Sequence, residues 1–289
     1  MSGWIILDKS SGLFSRSASS RVARLFGYKK SGHIGTLDPM ATGVLPIAIG
    51  DATKMIPFVE SANDGVKEYL FSCKFGISTD SLDITGTTTQ RNNKIPTDTQ
   101  INDSVTHFIG DVMQVPPIYS AVHVDGVRAY KIARNGENID IAPRKIHIFD
   151  LRYDGFDGEN WNFYVKCGRG TYVRSLARDI ANYCGTIATV TAIRRISTNG
   201  FDSKNAVTLD FLENMVNNGG DINEFLMPID LGLGGIPVLN LDDKDTELYR
   251  HGGFIKTTEP DGLVRVYNAN TFVGIGFVQD KQLRPKRTI

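Results

Sequence analysis

The segment Gly32-His33-Ile34-Gly35-Thr36-Leu37-Asp38-Pro39-Met40-Ala41-Thr42-Gly43-Val44-Leu45-Pro46 sets one carboxylate among glycines, threonines and prolines. It is too rich in Gly, Pro and Thr for a helix or an ordinary strand. Proline biases Asp38, the residue before it, toward extended backbone. Gly32, Gly35 and Gly43 open conformations closed to other residues. A loop made this way can hold a carboxylate in one pose, as nucleophilic and acid–base chemistry both require. An Asp-Pro pair is equally an ordinary turn signal, so the residues alone leave both readings open.

Other candidate motifs fail on spacing. Gly27 and Gly32 have P-loop spacing, but His33-Ile34 stand where Lys and Ser/Thr are needed. Asp80 and Asp83 lack the later ligands and closing Glu of a calcium loop. His33, His107, His123, His147 and His251 show no HxxxH or Cys/His pairing, so no metal site is expected. No GxGxxG follows a strand and no GxSxG elbow is present.

The elements that must position Asp38 are legible in outline. Trp4–Leu7 reads as a buried strand, and residues 17–26 as a helix with Val22, Leu25 and Phe26 on one side. Lys67–Phe75 alternates, placing Tyr69, Phe71, Cys73 and Phe75 on one face. A short helix is expected over 100–109 and another over 128–135, with a hairpin turn at Asp125-Gly126. Residues 145–153 and 161–167 should pair as strands. Tyr172–Tyr183 is amphipathic, with Val173, Leu176, Ile180 and Tyr183 on one side and Gly185 after its end. A helix follows over 209–215. Leu231–Pro237 reads as a linker, and residues 262–267 and 271–278 as strands of a small β domain. Strands and helices interleave irregularly, which favours α+β.

The 289 residues suggest one large domain plus a small one, and 32 basic against 32 acidic residues give no net charge. The charges are unevenly spread. Lys166, Arg169, Arg174, Arg178, Arg194 and Arg195 meet one acid, Asp179, within residues 166–195, and the acidic balance falls in residues 202–247. A basic face inside a neutral total suits phosphate binding, although charge clusters are commonly just solvated surface. No apolar run of about 18 residues exists, so no membrane span is expected. Three dispersed cysteines and a start without a signal-peptide pattern point to a reducing compartment, the cytoplasm by default.

The run from Gly32 to Lys54 closely resembles the catalytic motif of TruB-type tRNA pseudouridine synthases. Further segments follow in the order of that family. They are Leu7-Asp8-Lys9 with Gly12, Lys67-Glu68-Tyr69, Thr79-Asp80 with Asp83 and Gly86, Pro116-Pro117-Ile118-Tyr119-Ser120-Ala121, and Gly126-x-Arg128-x-Tyr130. Gly170-Thr171-Tyr172-Val173-Arg174 and Ile193-Arg194-Arg195 come next. Gly262–Val266, Phe272-x-Gly274-x-Gly276 and Arg284–Arg287 resemble a small PUA-like domain. One departure stands out. The family has Pro after Asp-Lys and Thr-Ser or Ser-Ser a little later, where this chain has Ser10 and Leu13-Phe14-Ser15.

The resemblance implies the pseudouridine synthase fold, an α+β architecture with a mixed, largely antiparallel central sheet flanked by helices. The catalytic domain would span 1–231, with an RNA-gripping thumb at about 118–143, and the PUA-like domain 236–289. It implies an isomerase that converts uridine 55 in the T-loop of tRNA to pseudouridine without an external cofactor, acting as a monomer with no obligate protein partner. Asp38 would be the nucleophile, at C1′ or at C6 of the base. Arg174 would be its counter-ion, Tyr69 the ring that stacks on the base, Ile193 a wall, and Asp83 part of the pocket lining. His33 would enter the RNA as the base flips. Lys9, Lys54, Tyr119, Arg128, Tyr130, Arg194 and Arg195 would meet RNA. The competing expectation is a non-catalytic RNA-binding or tRNA-folding chaperone with this fold, against which the intact Asp38, Tyr69 and Arg174 speak.

Overall fold

The computed structural model describes residues 2–124, 126–135 and 140–289. Its centre is a nine-stranded sheet, whose backbone order runs Gly3–Lys9, Thr42–Ile49, Ala188–Thr198, Lys67–Phe75, Trp161–Cys167, Arg144–Phe156, Gly110–Gln114. Ser31–His33 pairs with Thr42–Ile49, and Phe201–Asp202 with Ala188–Thr198. Every pairing among the described residues of this sheet is antiparallel except one. That exception sets Arg194 and Arg195 beside Thr42 and Gly43.

The apolar run of the first strand follows from burial on both faces. Ile5 and Leu7 enter the main core, with Leu45, Ile47, Tyr69, Phe71 and the helix residues Leu176 and Ile180. Trp4 and Ile6 enter a second core, with Val44, Ala48, Phe201 and Ile275. The two-residue period thus divides one strand between two cores. Lys67–Phe75 alternates as expected: Tyr69, Phe71, Cys73 and Phe75 are buried, whereas Leu70 is exposed.

The predicted helices form over Ser15–Leu25, Asp98–His107, Ala129–Arg134, Val173–Tyr183 and Leu209–Asn217. The second, Asp98–His107, begins before its apolar residues do, because Thr97 and Gln100 make a reciprocal capping box. His123–Val124 and Val127–Arg128 pair as the expected hairpin, whose turn residue Asp125 lies outside the described residues, as do 136–139 of the expected thumb. Two expectations need correction. Tyr183 is exposed at the end of its helix and stacks on His107 rather than entering the core. Leu231–Pro237 is no open linker: Leu233 and Ile236 are buried in the second core, and Asn63 Nδ2 donates to Gly232 O at 2.7 Å.

Beyond it, Val238–Leu241, Gly262–Asn268, Thr271–Gln279, Gln282–Thr288 and Ile255–Lys256 form a separate five-stranded sheet with its own core, including Tyr249, Val266 and Val278. No described helix is long and apolar enough to cross a membrane.

Candidate active site

The Asp38 loop joins Ser31–His33 to Thr42–Ile49, two paired strands of a hairpin. At its tip Ala41 N donates to Asp38 O at 3.1 Å. Pro39 therefore sits where a β-turn favours proline. The Asp-Pro pair is both things the sequence left open: a turn, and a turn that presents a carboxylate.

The loop is fixed from three sides. The segment after the first strand holds its tip, where Gly12 N donates to Pro39 O at 2.8 Å and Ser11 Oγ to Met40 O at 3.1 Å. Buried Ser15 both donates to Leu37 O at 2.8 Å and accepts from Leu37 N at 2.9 Å. Lys9 Nζ donates to Ser10 O, Leu13 O and Pro39 O at 2.9, 2.8 and 3.1 Å. From the far side, Arg195 Nε donates to Val44 O at 2.7 Å and Nη2 to Gly35 O at 2.8 Å, so one side chain spans both ends of the loop. Gly43 allows this closeness: its φ is +99°, and a Cβ there would lie 2.1 Å from Arg195 O.

Arg174 supplies the counter-ion. It follows the turn at Gly170, stands in the first turn of its helix, and is buried. Its Nε meets Asp38 Oδ2 at 2.8 Å and its Nη1 meets Asp83 Oδ2 at 3.4 Å. Nη1 also donates to Ser81 O at 2.7 Å and Nη2 to Tyr119 O at 3.0 Å. The guanidinium is thus oriented by carbonyls of two distant segments and cannot swing away from Asp38. Asp83, expected in the pocket lining, stands behind Arg174 instead, where Ser81 Oγ and Thr85 N hold its other oxygen.

Asp38, Arg174, Tyr69 and Ile193 meet in a cleft of about 220 Å³, with Gly35, Leu37, Lys67 and the Gly170–Val173 turn as its other walls. Burial pushes the Asp38 carboxyl above the usual carboxylate range; Arg174 pulls it back, and the neighbouring Asp83 charge adds to the rise. The helix N-terminus beside it is a second, weaker source of positive potential. Burial also pushes the Tyr69 phenol up to about 12, with Arg195 opposing, so the ring is neutral. His33 lies at the loop's start with Nε2 3.2 Å from Thr36 Oγ1, and burial lowers its pKa. A larger hollow of about 730 Å³ elsewhere includes Asp111, but Lys145 and His147 pin that carboxylate at 2.8 and 2.6 Å.

Two residues expected to face RNA are inside. Lys9 and Arg195 are 1% and 0% exposed. Backbone carbonyls hold both cations, and burial lowers the Lys9 ammonium to about 8. Arg194 reaches the surface but is paired in two contacts with Asp8, at 3.0 and 2.8 Å. Lys54 pairs with Asp51 at 2.8 Å beside the tail domain. Arg128 is exposed, while Tyr119 and Tyr130 are half-buried. Lys67 and Ser15 were not named from sequence as site residues. The signal for Lys67 was its spacing, two positions before Tyr69 on one strand.

A mixed sheet carrying this cleft, with a separate β-rich tail, is the pseudouridine synthase fold. It superimposes on the matching chain of a Cbf5-Nop10-Gar1 complex with a TM-score of 0.73, covering 99% of this chain and 84% of that one at 21% identity. A chain from an H/ACA RNP bound to a substrate RNA matches similarly, with a TM-score of 0.72, 19% identity and coverage of 99% and 84%. Residues 23–173 match the model of the TruB family pseudouridylate synthase N-terminal domain. Residues 174–233 match the tRNA pseudouridylate synthase B C-terminal domain, and residues 237–289 the C-terminal model of pseudouridine synthase II TruB. The tRNA pseudouridine synthase B of Gluconacetobacter diazotrophicus is 39% identical over 99% of this chain and 97% of its own. That of Caulobacter vibrioides is 43% identical over 85% and 78%. The chain belongs to the TruB family, and it is a pseudouridine synthase, an isomerase.

Proposed function

We propose that this enzyme converts uridine 55 in the T-loop of tRNA to pseudouridine, with Asp38 as nucleophile. The observation that carries the reading is the Asp38–Arg174 pair, 2.8 Å apart, at the edge of a cleft walled by Tyr69 and Ile193. The homologues named tRNA pseudouridine synthase B support tRNA as the substrate.

A uridine within the RNA fold is out of reach of this carboxylate, so the target base must leave its stack, at a cost of roughly a few kcal/mol. The cleft suits one flipped pyrimidine, which Tyr69 stacks against from one side and Ile193 confines from the other. His33, on the rim, takes the place the base vacates. Asp38 attacks C1′ or C6, the N1–C1′ bond opens, the base turns, C5 joins C1′, the bond to Asp38 breaks, and C5 gives up a proton while N1 takes one. Arg174 keeps the carboxylate ionised in this poorly solvated place. Residues 118–143 grip the T-arm as a thumb, with Arg128 and Tyr130 toward the RNA, and residues 236–289 form a PUA-like domain that meets the acceptor end. The enzyme works as a monomer without a protein partner or an added cofactor.

The test is pseudouridine mapping of tRNA incubated with the pure protein. The wild-type chain gives multiple turnovers at position 55, and Asp38→Asn binds tRNA but gives no product. Product from the Asn variant removes Asp38 from its role. Binding without turnover by the wild-type chain favours an RNA chaperone.

A further inference from the structure

Four cations crowd the Asp38 loop: Lys9, Lys67, Arg174 and Arg195. Arg174 has its charge committed, and Lys9 and Arg195 are buried beneath the loop rather than in the cleft wall. Arg174 meets two carboxylates. Lys9 gives its donors to three carbonyls. Arg195 is fully buried beneath Gly35 and Val44, with Nη1 left without a hydrogen-bond partner. Lys67 differs. It lines the cleft itself, beside Asp38, Tyr69 and Ile193. Its ammonium donates to Gly65 O at 3.0 Å and makes no ion pair among the described residues. An ammonium has three donors, so two are not taken up by this contact. Lys67 and Tyr69, two apart on one strand, project from the same face. The lysine stem packs near the Asp38 loop: a Cβ at Gly35 would lie 3.5 Å from Lys67 Cε, in ordinary contact, and 2.8 Å from Arg195 Nη1.

We propose that Lys67 is a catalytic residue whose ammonium stabilises the negative charge that develops on the uracil ring. The inference rests on the pseudouridylation reading above but not on which atom Asp38 attacks. If Asp38 attacks C1′, the N1–C1′ bonding pair leaves with the base, and the resulting uracil anion spreads its charge over O2 and O4. If Asp38 adds at C6, the C5–C6 π pair moves through C4 to O4 as an enolate. Both routes load the ring oxygens before C5 bonds to C1′. On the first route C5 bonds to C1′ as the Asp38 oxygen leaves it; on the second, Asp38 is later eliminated from C6. C5 gives up a proton and N1 takes one, so the product is an isomer of the substrate and Asp38 is regenerated. A fixed cation in a poorly solvated cleft is the usual device for such charge, and losing one donor of this kind costs about 100-fold or more in turnover. Arg174 is spent on Asp38, which leaves Lys67 as the cleft-lining cation free for the base.

Single-turnover kinetics on T-arm RNA, with binding measured in parallel, tests the assignment. Lys67→Met should slow the chemical step by about 100-fold, with RNA affinity changed less than about threefold (under 1 kcal/mol). Lys67→Arg should retain more of the rate than Lys67→Gln, because charge is the requirement. Rates within about threefold of wild type in the Met variant would overturn the proposal. So would an Arg variant no faster than the Gln variant. A loss that falls on affinity, with the salt slope of binding reduced by about one charge, would make Lys67 a phosphate contact instead. If Lys67→Met fails to fold, the Arg and Gln variants, matched by circular dichroism, decide between the same outcomes. A wild-type chain that makes no pseudouridine would defeat the functional reading itself, whereas a wild-type rate indifferent to Lys67 defeats only this inference.

Discussion

Burial disfavours the Asp38 charge and Arg174 offsets that only in part, so the folded carboxyl titrates above its ordinary range. The nucleophilic role proposed for Asp38 needs the ionised form. Turnover is therefore present above the raised pKa and lost as pH falls through it, at higher pH than an unperturbed aspartate would give. Arg174→Lys keeps a charge but loses the fork that binds Asp38, Ser81 O and Tyr119 O together. A pH profile of kcat/KM should show its acidic limb moved further up, and thermal unfolding should show a loss of about 1–3 kcal/mol from the carbonyls left without donors. That Asp38, Tyr69 and Arg174 belong together was legible from residue types in a known motif order, and the fold brings them into one cleft. The inward turn of Lys9 and Arg195 was not. A charged residue in a sequence reads as surface, and the partners that draw these two inside are backbone carbonyls, which carry no residue signature.

At the scale of elements, the site depends on how the Asp38 hairpin is braced. Ser15 forms both a donor and an acceptor contact to Leu37 in a buried place. Ser15→Ala should cost about 1–3 kcal/mol in denaturant unfolding, with a fall in kcat larger than any change in KM. Ser10 and Phe14 depart from the family pattern, yet Gly12 and Ser15 still bind the loop, and Phe14 stands 57% exposed beside them. Gly43→Ala places a methyl against the Arg195 carbonyl at positive φ. Calorimetry should show a loss above about 3 kcal/mol, or no folded protein, since either the backbone contact or the strained dihedral must give way. Element types were readable from periodicity. The packed Leu231–Pro237 segment was not, because glycine and proline mark a change of direction and say nothing about what lies beneath.

Across the whole molecule, catalytic part and tail share apolar surface: Ile275 of the tail lies in one core with Trp4, Ile34 and Phe201. Lys54 Nζ reaches Thr288 O at 3.4 Å, and Lys54, Arg250, Lys286 and Arg287 line one hollow at this junction. Arg250→Ala with Arg287→Ala should lower the slope of log Kd against log salt by up to about two phosphates, leaving the single-turnover rate at saturating RNA unchanged. The neutral net charge of the chain hid this cluster, because sequence order scatters what the tail's fold gathers. The parallel pairing of Arg194 and Arg195 with Thr42 and Gly43 has a consequence in time as well as space. A ribosome releases Asp38 early, but the strand that closes over its loop emerges some 150 residues later. Until then the carboxylate sits on a hairpin braced only from Lys9, Ser11, Gly12 and Ser15, without its Arg174 counter-ion or its Arg195 clamp, so the ability to act on RNA is acquired late in synthesis, when the chain is already two-thirds made.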